Sequence, residues 1–134
     1  MKNTVFECPC GSLNNYKDCC HKFHKEITYP NTAEELMRSR YSAFVVADGE
    51  YLLKTHSNQT KDQVNKSELV KWAKSVKWIS LKIINKEKGL KHDEIGFVEF
   101  EALFKEKIFK RSIHEKSKFI KEDGKWVYLN GIHF

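Results

Sequence analysis

The stretch Ile95-Gly96-Phe97-Val98-Glu99-Phe100-Glu101-Ala102-Leu103-Phe104 alternates with a period of two. Val98, Phe100, Ala102 and Phe104 fall on one face and Glu99 and Glu101 on the other. That is the pattern of a strand with one face in a core and one in water. Downstream and upstream, three more segments share the period. Residues 76–85 place Ile79, Leu81 and Ile83 on one face. Residues 107–121 read as a long strand or a bent pair, and residues 125–133 as a last strand, started by the turn Glu122-Asp123-Gly124. Nearer the N-terminus the period becomes helical. Thr32-Ala33-Glu34-Glu35 reads as a capping box that opens a helix over about 33–47, with Met37, Tyr41, Phe44 and Val45 on one face. Asp48-Gly49 interrupts it, a short helix over about 49–55 carries Tyr51 and Leu52, and Ser67-Glu68 opens a third with Leu69, Val70, Trp72 and Ala73. Helices first and antiparallel strands after predict an α+β fold, a curved sheet wrapped over helices.

The chain has 134 residues, of which 40% are apolar and 31% charged, with 6 Gly and 2 Pro. That composition excludes collagenous, low-complexity and wholly disordered chains, and the length suits one domain with a small appendage. No apolar run approaches the roughly 18 residues needed to span a bilayer. The N-terminus, Met1 to Glu7, has no apolar leader segment. The expected compartment is the cytoplasm.

All four cysteines lie in Cys8-Pro9-Cys10-Gly11-Ser12-Leu13-Asn14-Asn15-Tyr16-Lys17-Asp18-Cys19-Cys20. In a cytoplasmic chain such clustering favours metal over disulfides, and neither close pair bridges easily. Four thiolates brought together by a short turn suit tetrahedral Zn2+. Gly11 allows the tight turn, and Ser12 is placed to cap a short helix through Tyr16. A site with His21 in place of Cys20 is the main variation, although Cys8, Cys10, Cys19 and Cys20 complete the register without a histidine. With four protein ligands, one such ion is structural and has no open position for water.

The net charge of +6 is unevenly distributed. Residues 61–91 carry 9 lysines against 3 acids, while the flanking regions balance. Lys66, Lys71, Lys74 and Lys77 are the candidate contacts to a polyanion such as RNA; a solvated lysine-rich face is the plain alternative. With only 3 arginines, sequence-specific DNA readout is not expected.

One strand breaks its own pattern. Arg111, Glu115 and Ser117 share a face with Phe109, Ile113 and Phe119. Polar groups on an apolar face need partners, so they form either a structural network or the polar end of a ligand pocket. Tyr41 and Trp78 are the candidate aromatic walls of that pocket, and a bulge between residues 107 and 115 would turn Arg111 away.

The cysteine segment resembles the SEC-C motif, a zinc knuckle of bacterial proteins, through Cys8, Pro9, Cys10, Gly11, Ser12, Tyr16, Cys19 and Cys20. Leu13 departs from it, standing where the motif usually has Gly or another small residue. Leu36-Met37-Arg38-Ser39-Arg40-Tyr41-Ser42-Ala43-Phe44-Val45, Tyr51-Leu52-Leu53-Lys54-Thr55, the stretch from Ile95 and the segment Glu115 to Tyr128 together look like the uncharacterised bacterial YchJ family. The resemblance implies a SEC-C knuckle over 1–26, followed over 27–134 by a nuclear-transport-factor-2-like cone of a curved antiparallel sheet and three helices. Many members carry a second knuckle near the C-terminus, which this sequence lacks, and read Thr-Trp-His-Pro where it has Thr55-His56-Ser57-Asn58. His56, His92 and His133 read as surface or loop histidines.

The resemblance implies a metal and a fold but no activity. The leading functional expectation is a non-enzymatic adaptor whose knuckle contacts a protein or the ribosome, with the lysines adding a weak non-specific RNA contact. The alternative is a small-molecule binder or enzyme using the cone cavity around Glu115. A third role, self-association through Trp126, Tyr128 and Phe134, leaves the oligomeric state open.

Overall fold

The computed structural model describes residues 6–134. Residues 1–5, which carry most of the leader reading and the start of the 1–26 segment, lie outside it. After a 3-10 turn at Tyr16–Asp18 come α1 (Cys20–His24), α2 (Ala33–Val45), α3 (Gly49–Lys54) and α4 (Lys66–Ser75). Four strands follow: β1 (Lys77–Lys88), β2 (Ile95–Glu106), β3 (Phe109–Glu122) and β4 (Lys125–His133). They pair antiparallel in the order β1-β2-β3-β4. The fold is α+β, as the change of period predicts. No described helix is long and apolar enough to cross a membrane.

Local chemistry sets the helix starts. Thr32 Oγ1 accepts from Glu35 N (3.1 Å), while Glu35 Oε1 accepts from Asn31 N (2.8 Å), one residue earlier than in the usual reciprocal box. Asp48 caps α3 by accepting from Tyr51 N. α4 begins one residue before the expected Ser67, because Asn65 Oδ1 accepts from Glu68 N (2.9 Å) and is the cap.

Helix α2 lies across the inner face of the sheet. Ala33, Leu36, Met37 and Tyr41 meet Val98, Phe100, Ala102, Phe119 and Trp126 in one cluster. The approach is close where the helix begins. A Cβ on Gly96 would stand 2.4 Å from Gly89 Cα and 2.9 Å from Ala33 Cβ, so both positions need glycine. A second cluster joins Phe23 of α1 to Ala43, Tyr51 and Leu52.

Strand β1 corrects the alternation. The ladder slips between Trp78 and Ser80 and again between Ile83 and Asn85. Each slip inserts a residue, so Trp78, Leu81 and Ile83 pack on the core while Ile79 and Ile84 turn out to solvent. β3 runs instead as one strand, with unbroken pairing to β2 from Phe109 to Ile120.

Candidate functional site

The cysteine segment is a small hairpin. Glu7 bridges Asn15, Cys8 N donates to Asn14 O (2.8 Å) and Tyr16 N donates to Phe6 O (2.8 Å). The chain turns through Gly11 (φ 85°) and Leu13 (φ 72°). This brings the Sγ atoms of Cys8, Cys10, Cys19 and Cys20 within 4.8 Å of one another. Cys10 and Cys19 are 3.7 Å apart. A zinc–sulfur bond of about 2.3 Å in a tetrahedron gives an edge of about 3.8 Å, so the four thiols fit a metal of that kind. His21 lies outside this group, with its ring against the edge of Tyr16.

Ser12 is not the cap of the turn at Tyr16. Asn15 Oδ1 takes that position by accepting from Lys17 N (3.1 Å), while Ser12 Oγ lies 3.2 Å from Cys19 Sγ. Leu13 occupies the left-handed region with its side chain 79% exposed. The strain there is roughly 1–2 kcal/mol and no packing offsets it. Leu13→Gly is expected to stabilise the protein by about 0.5–1 kcal/mol once glycine's own entropy is counted, raising the denaturant midpoint. A lowered midpoint would show that Leu13 has a packing role.

The thiols crowd one another. Hydrogen bonding to Cys10 and Cys8, together with burial, pushes Cys20 far up. Burial pushes Cys19 up to about 11, and the thiols of Cys10 and Cys20 pull Cys8 down. A bound cation would favour the thiolate form of all four.

The knuckle is anchored on α2 and α3. Arg38 Nη1 donates to Cys10 O (2.6 Å), and Cys8 Sγ lies 3.5 Å from Ser42 Oγ. His24 is buried, with Nε2 2.8 Å from Ser39 O and Nδ1 2.6 Å from Tyr16 OH. A carbonyl only accepts, so Nε2 carries the proton and Tyr16 donates to Nδ1. Burial holds His24 below its ordinary range and keeps this neutral tautomer.

Between α2, α3 and the sheet lies a cavity of about 220 Å³. Glu115 and Ser117 line it. Glu115 Oε2 accepts from Ser117 Oγ (2.7 Å) and Tyr128 OH (2.9 Å). Gly131 makes room for that carboxylate, because a Cβ there would stand 1.8 Å from Oε2.

The other three expected pocket residues lie elsewhere. Arg111 is on the same face of β3 but close to the turn that joins β2 to β3, where it is exposed and pairs with Glu106 (2.9 Å). The ladder has no bulge there; Arg111 simply lies beyond the core. Tyr41 and Trp78 pack edge to face, 5.8 Å between centroids, in the core beside the cavity. His114 turns to the outer face and meets Glu99 at 2.6 Å.

Arg40, His56 and Tyr128 were missed as cavity residues. Arg40 was legible: it falls between Met37 and Phe44 on the apolar face of α2, a charge where burial is expected. The sequence alone places His56 at the surface or in a loop. It lines the cavity, with its ring 5.4 Å from Tyr128 and Nε2 2.9 Å from Thr60 Oγ1. A parallel bridge between His56 and Tyr128 brings it there, and no local spacing encodes that contact.

Burial, then the charges of Arg40 and Lys61, push His56 down to about 4. Unfolded, the ring keeps a value near 6.5, so between these limits the unfolded chain binds more protons. Stability present above pH 6.5 is therefore lost as the pH falls towards 4. The expected loss is about 2 kcal/mol, allowing for partial exposure, and should be missing from His56→Asn in urea titrations at pH 7 and 4.5. Equal slopes in both proteins would contradict it.

Lys66, Lys71 and Lys74 are exposed on α4, and Lys77 is exposed at the start of β1. Lys66 pairs with Glu50, and the other three form no ion pair among the described residues.

The family described as YchJ, middle NTF2-like domain, matches residues 32–131. A UPF0225 protein of Sodalis glossinidius (strain morsitans) is 38% identical over 128 residues, covering 94% of this chain and 82% of the relative. A UPF0225 protein of Actinobacillus succinogenes is 38% identical over 125 residues, covering 92% and 79%. Among solved structures, the solution structure of a SEC-C motif containing protein from Rhodopseudomonas palustris superposes with a TM-score of 0.87 at 28% identity, covering 96% of this chain and 99% of that one. The crystal structure of a SEC-C motif containing protein from Psychrobacter arcticus gives 0.80 at 30%, covering 92% and 80%. The chain belongs to the YchJ family of SEC-C motif proteins.

Proposed function

We propose that this protein is a cytoplasmic, non-enzymatic adaptor in which Cys8, Cys10, Cys19 and Cys20 hold one structural Zn2+ and the knuckle contacts a protein or the ribosome. The observation that carries the zinc reading is the convergence of four Sγ atoms within 4.8 Å. The donor set is complete without water, which suits a structural ion and gives no position for metal catalysis. The likeness to SEC-C motif proteins supports zinc over other thiophilic metals.

A recognition role fits the knuckle's surface. Phe6 and Leu13 are large apolar side chains left exposed on a segment of fixed shape. Lys71, Lys74 and Lys77, which form no ion pair among the described residues, supply a salt-sensitive contact to RNA on the cone. The test is co-sedimentation of the zinc-loaded protein with ribosomes from a bacterial lysate, at low and moderate salt, beside Cys10→Ser. Zinc-dependent binding is the expected result. Binding equal in both proteins and abolished by salt would assign the contact to the lysines alone. Absence of binding would remove the ribosomal reading.

A further inference from the structure

Arg40 is only 7% exposed, in the middle of α2. Its Nη1 donates to Leu52 O (2.9 Å) and Thr55 Oγ1 (2.7 Å), and the Tyr128 ring covers the guanidinium at 4.9 Å. Among the described residues, Nε and Nη2 carry no hydrogen bond and no acid forms an ion pair with Arg40. Buried arginines are normally paired. No fully buried side-chain nitrogen or oxygen of the described residues lacks a partner, so these free donors meet open space, and Arg40 lines the cavity.

Glu115 is the cavity's opposite charge. Its Oε2 is filled by Ser117 and Tyr128, while among the described residues Oε1 has only His133 Nε2, at 3.4 Å. Arg40 and Glu115 therefore line one space with opposite charges that do not touch. Met37, Leu52, Leu69 and Phe100 give that space apolar walls. A ligand with one charge would satisfy one of the two groups and sit against the like charge of the other. A neutral ligand carrying both charges satisfies both.

We propose that this cavity binds a free apolar α-amino acid. Its carboxylate lies on the open fork of Arg40, its ammonium group at Glu115, and its side chain against Met37, Leu52, Leu69 and Phe100. A guanidinium fork matches a carboxylate in two parallel hydrogen bonds. The volume of about 220 Å³ is roughly seven water volumes, the room of leucine or methionine.

The test is an amide-resolved NMR titration of the full, zinc-loaded chain with L-leucine and L-methionine. The controls are 4-methylpentanoate, which lacks leucine's amine, and isopentylamine, which lacks its carboxylate. At least one of the two amino acids should shift Phe100, Ser117 and Tyr128, and both controls should bind at least about tenfold more weakly than leucine or methionine. Glu115→Gln should weaken the amino acid at least about tenfold while 4-methylpentanoate binds no more weakly than before, because the like charge facing its carboxylate is gone; a purely structural role would not produce that split. Leu69→Trp, which fills the cavity from a half-buried position on α4 and replaces neither charged residue, should abolish binding in a folded protein. The proposal is overturned if neither amino acid shifts these amides at about 10 mM, if 4-methylpentanoate binds as tightly as leucine, or if Leu69→Trp binds undiminished.

Discussion

Cys10→Ser, or removal of zinc by a strong chelator, is expected to cost the knuckle nearly all of its hydrogen-exchange protection. Metal binding at a structural site of this kind is folding free energy, on the order of 10 kcal/mol or more in isolated knuckles. The reporters are the amides of Cys8, Tyr16 and Cys19, which bond to Asn14, Phe6 and Tyr16. Each should exchange at least a hundredfold faster, a loss of about 2.7 kcal/mol or more at that amide. The effect should extend into the cone at one place. Phe23 packs with Ala43, Tyr51 and Leu52, and His24 is bonded to Ser39, so α3 and the middle of α2 should loosen to a lesser degree. The pairing of β2 with β3 rests on the separate cluster around Phe119 and should keep its protection. Protection lost evenly across the sheet would show that the cone has no independent stability.

Phe119→Ala should cost about 4 kcal/mol, within the range for a large aromatic removed from a filled core. Phe119 is 0% exposed, at the centre of the sheet, with its ring 5.9 Å from Tyr128. Against a total stability of about 5–15 kcal/mol, that loss lowers the urea midpoint by about 2 M. The companion variant is Ile79→Ala. Strict alternation would bury Ile79 with Leu81 and Ile83 and give it a core-sized cost. The slip after Trp78 leaves Ile79 48% exposed, so its replacement should change stability by no more than about 0.5 kcal/mol. Matching losses from the two variants would contradict the assignment of the bulge.

That pair of side chains also marks what the sequence could disclose. Val98, Phe100, Ala102 and Phe104 declared β2 because an unbroken alternation leaves one choice of buried face. β1 was misread at Ile79 because a bulge changes the face without changing composition. The four cysteines were legible as a group because their ligand atoms are delivered by one short turn. The cavity was legible only at Glu115 and Ser117, where polar residues interrupt an apolar face. Arg111 obeyed the same rule yet faces solvent, since alternation assigns a face and says nothing about where along the strand the core ends. His56 and Tyr128 meet through a contact between distant segments, and pairwise spacing carries no trace of it. Arg40 is the instructive omission: its position on the apolar face of α2 was visible, and the absence of a paired acid needed coordinates.

The most direct test of the account is the zinc content of the protein purified without added metal, read as the mass increment in native mass spectrometry. One zinc per chain is expected, held against mild chelation and lost in Cys10→Ser. A native chain without metal, or one whose zinc survives Cys10→Ser, would contradict the assignment of these four thiols as the metal centre.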